Sequence, residues 1–186
     1  MGQRLSTLEQ RIATFPGPDQ WREESISYYD LAKAERAMDS YPVGMLTALG
    51  VTYQNMCLIW PFLRYFMALV YKGDRLYEEA QQNGSDQAPE DSWRNQLAGF
   101  LKSCDLADPN IAEELNNFTR YGVLESKIVL GTAELTEDLV LEANVLRSTD
   151  YRILIRALSK LTSGWDCAGF LEVIKPLLLL WEFYDD

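Results

Sequence analysis

The sequence contains no histidine and only three cysteines, and both shortages limit the chemistry open to it. Without histidine there is no Ser–His–Asp triad, no histidine general base and no histidine metal ligand. Cys57, Cys104 and Cys167 lie far apart and form no CxxC pair, so a four-ligand zinc site would need help from acidic residues. We expect three buried thiols in a reducing, cytoplasmic setting. Glycine-rich phosphate loops, dinucleotide fingerprints and nucleophile elbows are also absent from the sequence.

Positive charge and long apolar runs are scarce as well. Lys and Arg number 17 against 28 Asp and Glu, which gives a formal net charge of −11. Such a surface repels phosphate backbones and anionic lipid, so we expect no nucleic acid partner and no binding to membrane surfaces. The longest apolar run, 56–70, is interrupted by Pro61 and Arg64. A membrane span needs ~20 mostly apolar residues, so this run is predicted to be a buried core helix. The opening MGQRLSTLEQRIATF has no apolar core of signal-peptide length, so secretion is not expected.

Apolar residues recur with a helical period along nearly the whole chain, and sustained two-residue alternation is hard to find. This spacing predicts an all-α, single-domain bundle of about eight to nine helices over residues 1–186. The polar, turn-rich stretch 83–90 is the predicted internal loop. Hydrophobic central helices are expected near 56–80 and 170–184, and the chain is expected to end inside the second of them.

Residues that cap or break helices predict where individual helices begin and end. Asp19 is expected to cap a helix that reaches Ser40, Asp108 one that has proline at its first position, and Thr136 a third. Pro61 is expected either to kink its helix or to open a new one. We also expect glycines 122 and 131 to divide the stretch that follows Asp108.

Two segments near the C-terminus, LRSTDYRILIRALSKL and VIKPLLLLWEFYDD, resemble the late helices of class I isoprenoid synthases. The resemblance covers about a fifth of the chain, and it implies a helical cavity in which magnesium ions bridge carboxylates to a substrate diphosphate. By resemblance, Asp185, Asp186 and Glu182 would hold the metal. The later acidic residues of the family's DDxxD motif would lie past residue 186, and no earlier DDxxD occurs. A solvated acidic C-terminus is the alternative interpretation.

Arg152, Arg156 and Lys160 are spaced four apart, with Arg147 one turn earlier, so they share one helix face. Arginine offers forked donors to phosphate oxygens, and the stripe is therefore a candidate clamp for the diphosphate. The alternative is a solvated face opposite the apolar side of the helix.

Aromatic and acidic side chains supply two further candidates. Trp60 and Tyr65 belong to an aromatic cluster that would either line a ligand pocket or fill the core. Glu134, Asp138 and Glu142 are four apart, a spacing that holds divalent ions in some helix bundles and otherwise marks a solvated face.

Three other segments are similar, in order, to homology segments of B-cell-lymphoma-type apoptosis regulators. They are the LxxxGD pattern at 69–74, the stretch 120–129, and Gly164-Trp165-Asp166. Lys127 stands where that family has an arginine. The resemblance implies an apolar groove that receives a partner's amphipathic helix. Gly73, in the first segment, is alternatively a tight contact between helices.

The sequence thus predicts an isoprenoid-synthase-like helical protein that binds a prenyl diphosphate or a similar apolar ligand in an interhelical cavity, with Mg²⁺ as the expected cofactor. Arg147, Arg152, Arg156, Trp60 and Tyr65 are the candidate ligand-binding residues. Catalysis is not claimed, and the oligomeric state is left open. The alternatives are a protein-interaction module with a helix-binding groove and a structural subunit of an assembly.

Overall fold

The chain is all-helical, as predicted. The computed structural model describes residues 26–40, 46–47, 50–87, 92–162 and 167–185, of which 39–40 and 181–185 are described by their backbone only. No strand occurs in these ranges. The helices are α1 (Tyr28–Ser40), α2 (Tyr53–Gln82), α3 (Ser92–Ser103), α4 (Pro109–Val129), α5 (Glu137–Arg147), α6 (Thr149–Thr162) and α7 (Ala168–Asp185). The expected total of eight to nine helices is not confirmed within the described ranges.

The first described helix begins later than predicted, because Ser27 and Asp30 form its N-terminal cap. The Ser27 hydroxyl accepts a hydrogen bond from the Asp30 backbone N–H at 3.1 Å, and the Asp30 carboxylate accepts one from the Ser27 N–H at 3.3 Å. This reciprocal pair satisfies two backbone donors at a helix start. A helix running unbroken from Asp19 to Ser40 is therefore wrong at residues 26–27, which are not helical. Asp19 itself lies outside the described residues.

The caps predicted for two later helices are confirmed. The Asp108 carboxylate accepts a hydrogen bond from the Ile111 N–H at 2.9 Å, and Pro109 occupies the first turn of α4. The Thr136 hydroxyl likewise accepts one from the Leu139 N–H at 3.2 Å and starts α5. In both places a short polar side chain satisfies a backbone donor that the helix leaves unpaired.

Pro61 and Gly122 do not end helices. The 30-residue helix α2 runs through Pro61, which is exposed, while Ile59 and Phe62 on either side are buried. Pro61 has no backbone N–H, so the helical hydrogen bond that it cannot make is missing on the solvent side of α2. The buried side chains of Ile59 and Phe62 hold the helix in place. Gly122 lies inside α4, where a Cβ would meet the Tyr77 ring at 2.5 Å. Only the predicted division at Gly131 is confirmed, since this residue follows α4 with φ +65°.

Helix α2 is the centre of the core. Helices α1, α3 and α4 pack against it, and α6 packs against α4. A stack of aromatic rings joins α2 to α3, with the centroids of Phe62 and Phe100 5.1 Å apart. Gly73 confirms the tight-contact interpretation, because a Cβ there would lie 2.9 Å from the ring of Trp93.

Helix α7 is attached through a second, smaller cluster in which Cys167 and Leu171 pack against Ile155 of α6. Its side chains Val173, Leu177 and Leu180 remain exposed. Within the part of the chain that is described, none of the helices has both the length and the apolarity needed to cross a bilayer.

One of the three expected buried thiols is exposed. Cys104 and Cys167 are buried, as predicted, whereas Cys57 lies on the surface of α2. Cys57 precedes the buried Ile59 by two residues, and a helix turns by about 100° per residue, so the two side chains lie on opposite sides.

Candidate ligand-binding cavity

A cavity of about 460 Å³ lies between α1, α2, α4 and the corner where α5 meets α6. This volume is within the range of small-molecule sites. The described residues that line it are mainly charged or aromatic: Lys33, Tyr71, Asp74, Glu78, Gln81, Phe118, Tyr121, Glu125, Val129, Arg147, Asp150 and Tyr151. Four of them are carboxylates and two are cations, so the lining carries an excess of negative charge.

Asp74 carries a carboxyl group on the α2 wall of the cavity. Among the residues that the structure describes, it has no hydrogen-bond or ion-pair contact. Burial raises its pKa from 3.8 to about 7, and the negative charges of Glu125 and Glu78 act in the same direction, against Lys33 and Arg147. A carboxyl group that is half protonated near neutral pH is typical of functional sites, although structural clusters produce it too.

On the α4 wall, Tyr121 and Glu125 form one polar unit. The Tyr121 hydroxyl donates to the Glu125 carboxylate at 2.5 Å, and Gln81 donates to the other carboxylate oxygen at 3.5 Å. Burial raises the pKa of Tyr121 well above its usual value, and the adjacent Glu125 charge raises it further. The Tyr121 hydroxyl therefore stays protonated and remains a donor.

Lys33 supplies an ammonium group from α1. Its Nζ lies 4.8 Å from the centre of the Tyr71 ring and 4.0 Å from a carboxylate oxygen of Glu78. The ring face attracts the cation because of its quadrupole. One amine of the chain is thus held by an aromatic ring and a carboxylate together.

Of the predicted arginine stripe, only Arg147 lines the cavity. Arg152 instead donates to the Glu114 carboxylate at 2.9 Å, and Arg156 approaches the same carboxylate at 3.7 Å. Their side chains are only 17% and 18% exposed, so the solvated-face interpretation is wrong for both. Lys160 pairs with Asp108. The stripe joins α6 to α4, because α4 presents carboxylates opposite three of its positions.

The two predicted aromatic residues do not line this cavity. Trp60 is partly buried and packs against the main core. The Tyr65 ring meets Phe100 edge-on with centroids 4.7 Å apart, and its hydroxyl accepts a hydrogen bond from Gln96 at 3.4 Å. Both positions match the alternative interpretation, in which the aromatic cluster fills the core.

The predicted metal ligands lie where the structure gives no side-chain geometry. Asp186 is outside the described residues, and for Glu182 and Asp185 only the backbone is described. In the remaining described ranges, no group of three His, Cys, Asp or Glu side chains is placed to hold a metal ion.

The three acidic residues predicted to share a helix face are exposed, but Glu134 precedes α5, so only Asp138 and Glu142 lie on that helix. Glu134 and Asp138 lie at the surface, and Glu142 is 2.8 Å from the guanidinium of Arg120. Such exposed pairs are worth little to stability, so this face resembles the solvated alternative.

Lys127 lines a groove between α4 and α5. The groove encloses about 280 Å³, and Val123, Leu124 and Leu146 supply its apolar lining. Nearby, Val140 and Leu141 of α5 are exposed. Gly164, Trp165 and Asp166 lie outside the described residues.

Sequence reasoning missed the roles of Asp74, Tyr121 and Glu125. A signal was present, because Asp74 and Glu78 are four apart in the sequence, as are Tyr121 and Glu125. Such pairs lie on one helix face, but only the packing of α2 against α4 turns both toward the same space.

Comparison of the chain with protein-family models, with curated proteins and with solved structures found no match. The class of protein is therefore defined by its fold and its cavity alone. It is an all-helical protein with a cavity between its helices that is lined by acidic and aromatic side chains.

Proposed function

We propose that this chain binds a small molecule in the cavity between α1, α2, α4 and the α5–α6 corner. The observation that carries the proposal is the cavity of about 460 Å³, which combines aromatic rings with charged side chains on several different helices. In small-molecule sites, aromatic and apolar side chains supply contact surface and polar groups fix the orientation of the ligand, and this cavity contains both kinds of group. No catalytic step is part of the proposal.

A prenyl diphosphate is the ligand that the isoprenoid-synthase resemblance implies. Its apolar tail would contact rings such as Phe118, and Arg147 would contact the diphosphate. Four carboxylates line the same space, so a free diphosphate would be repelled unless a divalent cation accompanied it. Magnesium dependence is therefore the feature to test.

A thermal-shift titration with farnesyl diphosphate, with and without magnesium, tests this form of the proposal. A ligand that binds only the folded chain raises the melting temperature as its concentration passes the dissociation constant. We expect a magnesium-dependent rise that Arg147→Gln abolishes and Arg120→Gln leaves intact, since Arg120 is 61% exposed and outside the cavity. Equal rises in both variants would place the diphosphate elsewhere.

A helix-binding module is the second candidate, favoured by the groove that Leu124 and Lys127 line. Its test is fluorescence anisotropy with a labelled amphipathic peptide that carries leucine anchors and one aspartate. Lys127→Glu should abolish binding, because it places like charges together, whereas Lys102→Glu at the exposed end of α3 should not. If neither change affects binding, the peptide does not use this groove.

A structural role in an assembly is supported by the exposed Val173, Leu177 and Leu180 of α7. Exposed apolar residues that lie together mark interaction surfaces. Light scattering after gel filtration would test this role, and a monomer at high protein concentration would argue against self-assembly.

A further inference from the structure

The described lining of the cavity has the composition of a site for a positively charged ligand. Its carboxylates outnumber its cations four to two, and Glu125 is held by neutral donors, Tyr121 and Gln81. Asp74 has no ion-pair or hydrogen-bond contact among the described residues. A free carboxyl group that contacts open space inside the protein is available to a ligand, and the ligand charge that complements it is positive.

Aromatic rings give the second, independent indication. Tyr71, Phe118, Tyr121 and Tyr151 line the cavity beside the carboxylates. Ring faces attract ammonium groups, and desolvation strengthens that attraction. Lys33 already shows the combination, because its ammonium lies over the Tyr71 ring and beside Glu78. The same cavity lining places Asp74 and Phe118 together with these groups.

We propose that the cavity binds a small organic amine whose ammonium group contacts Asp74 and whose apolar part contacts the rings of Phe118 and Tyr121. This inference rests on the proposed function, and it assigns the ligand a positive charge where the resemblance implies a diphosphate. A volume of about 460 Å³ holds an amine with one ring or a short chain.

Binding of an amine is coupled to the proton of Asp74. An adjacent ammonium favours the carboxylate, so Asp74 releases its proton when the amine binds. Because its pKa is raised to about 7, affinity rises as the pH passes upward through that value. Other charged or titratable groups face the same space from every neighbouring helix: Lys33 on α1, Glu78 on α2, Tyr121 and Glu125 on α4, Arg147 on α5 and Asp150 on α6.

Isothermal titration with benzylammonium and with benzyl alcohol tests the proposal, because the two probes share a ring and differ in charge. Both keep their charge between about pH 6 and about pH 8, so any change in affinity over that range belongs to the protein. We expect benzylammonium to bind at least about tenfold more tightly than the alcohol, and more tightly at the higher pH.

Asp74→Asn and Glu113→Gln form the matched pair of variants. Each removes one formal negative charge and keeps the side-chain shape, but Glu113 lies exposed on α4 and does not line the cavity. Asp74→Asn should weaken benzylammonium binding by about tenfold and abolish its pH dependence. Glu113→Gln should change neither, and circular dichroism confirms that both variants are folded.

Three results would overturn the amine assignment. If benzylammonium and benzyl alcohol bound with equal affinity, the charge of the ligand would play no role. If Asp74→Asn and Glu113→Gln weakened benzylammonium binding equally, only the net charge of the chain would matter, and not the position of Asp74. In each of these the cavity would still bind a small molecule. Binding of farnesyl diphosphate with magnesium, without binding of benzylammonium, would also leave the proposed function intact. Absence of binding by all of these probes would refute both proposals.

Discussion

Helix α4 carries two clusters of charge that differ in how they are compensated. Near its N-terminus, Glu114 is only 7% exposed and meets the guanidinium groups of Arg152 and Arg156. About three turns further on, Glu125 faces a cavity in which carboxylates are in excess. The first cluster joins α4 to α6, and the second leaves space beside α2. The difference indicates that the first holds the fold together, while the second is free to receive another molecule.

The largest effect is expected from neutralising Glu114. Glu114→Gln leaves two partly buried guanidinium groups without their carboxylate, which should lower the free energy of unfolding by about 3 kcal/mol. Chemical denaturation monitored by circular dichroism measures the loss. The neighbouring exposed Glu113→Gln should change stability by less than about 0.5 kcal/mol. Equal effects would mean that the α4–α6 contact does not depend on this ion pair.

Gly122 lies on α4 between the two clusters, and an added methyl group there is expected to have the next largest effect. Gly122→Ala forces a Cβ to within 2.5 Å of the Tyr77 ring. Overpacking of this kind costs about 1–3 kcal/mol. Gly99→Ala, where a Cβ meets open space inside α3, should instead stabilise the chain by about 0.5–1 kcal/mol. Melting temperatures that move in opposite directions would confirm the close approach, and stabilisation by both changes would contradict it.

Neutralising Asp74 should increase the stability of the folded chain at neutral pH, whereas neutralising Glu114 should decrease it. Because its folded pKa is raised to about 7, the folded chain binds this proton more tightly than the unfolded chain does. Its contribution is fully present below about pH 4 and is lost as the pH rises through about 7. Asp74→Asn should therefore be more stable than the parent chain above pH 7 and equal to it below about pH 4. We expect a difference on the order of 2 kcal/mol, because solvent reduces the full effect of the shift at a partly exposed side chain.

The stability of Asp74→Asn must be compared with that of the parent chain at each pH, because other carboxyl groups make the stability of both chains change with pH in the opposite direction. Burial alone would raise the pKa of Asp30, but hydrogen bonds from Arg75 and Ser27 outweigh it and lower the pKa. At Asp108, Lys160 and the Ile111 N–H outweigh burial in the same way. Both contribute stability that is lost as the pH falls. A difference between Asp74→Asn and the parent that did not vary with pH would contradict the raised pKa.

The smallest effect is expected at an exposed pair on the outer side of α4. Arg120 and Glu142 lie 2.8 Å apart but are 61% and 48% exposed. Removing such a pair changes stability by less than about 1 kcal/mol. Measuring Glu142→Gln beside Glu114→Gln would show how much burial changes the contribution of an ion pair to stability when the pair distances are similar. Similar losses of stability in the two variants would contradict the distinction between buried and exposed pairs.

Local features of the fold were predictable because they depend on neighbouring residues. The caps at Asp108 and Thr136 require only a short polar side chain ahead of an apolar periodic segment. The break at Ser27 was missed because Asp19 was an equally good cap by the same criterion. Gly122 was expected to divide its helix because its contact with the Tyr77 ring is not local and cannot be read from the sequence. Of the two alternatives for Pro61, the one in which it opens a new helix is wrong, since α2 runs through it.

The candidate site was predictable only in part. Arg147 lies on the cavity wall, as a ligand-binding residue would, but it ends α5, whereas Arg152 and Arg156 lie on α6 and meet Glu114 instead. Spacing places side chains on one face and does not say which partner covers that face. The cavity residues come from α1, α2, α4, α5 and α6, so no short stretch of sequence contains the site.

Two glycines that contact aromatic rings limit how this sequence can diverge. Gly73 receives the ring of Trp93, and Gly122 receives the ring of Tyr77. Each glycine is adjacent to a cavity residue, Asp74 in one place and Tyr121 in the other. A larger residue at either glycine becomes acceptable only when its aromatic partner shrinks. In relatives of this chain we expect the two residues of each glycine–aromatic pair to covary. We also expect relatives that keep the aromatic residue to keep the cavity.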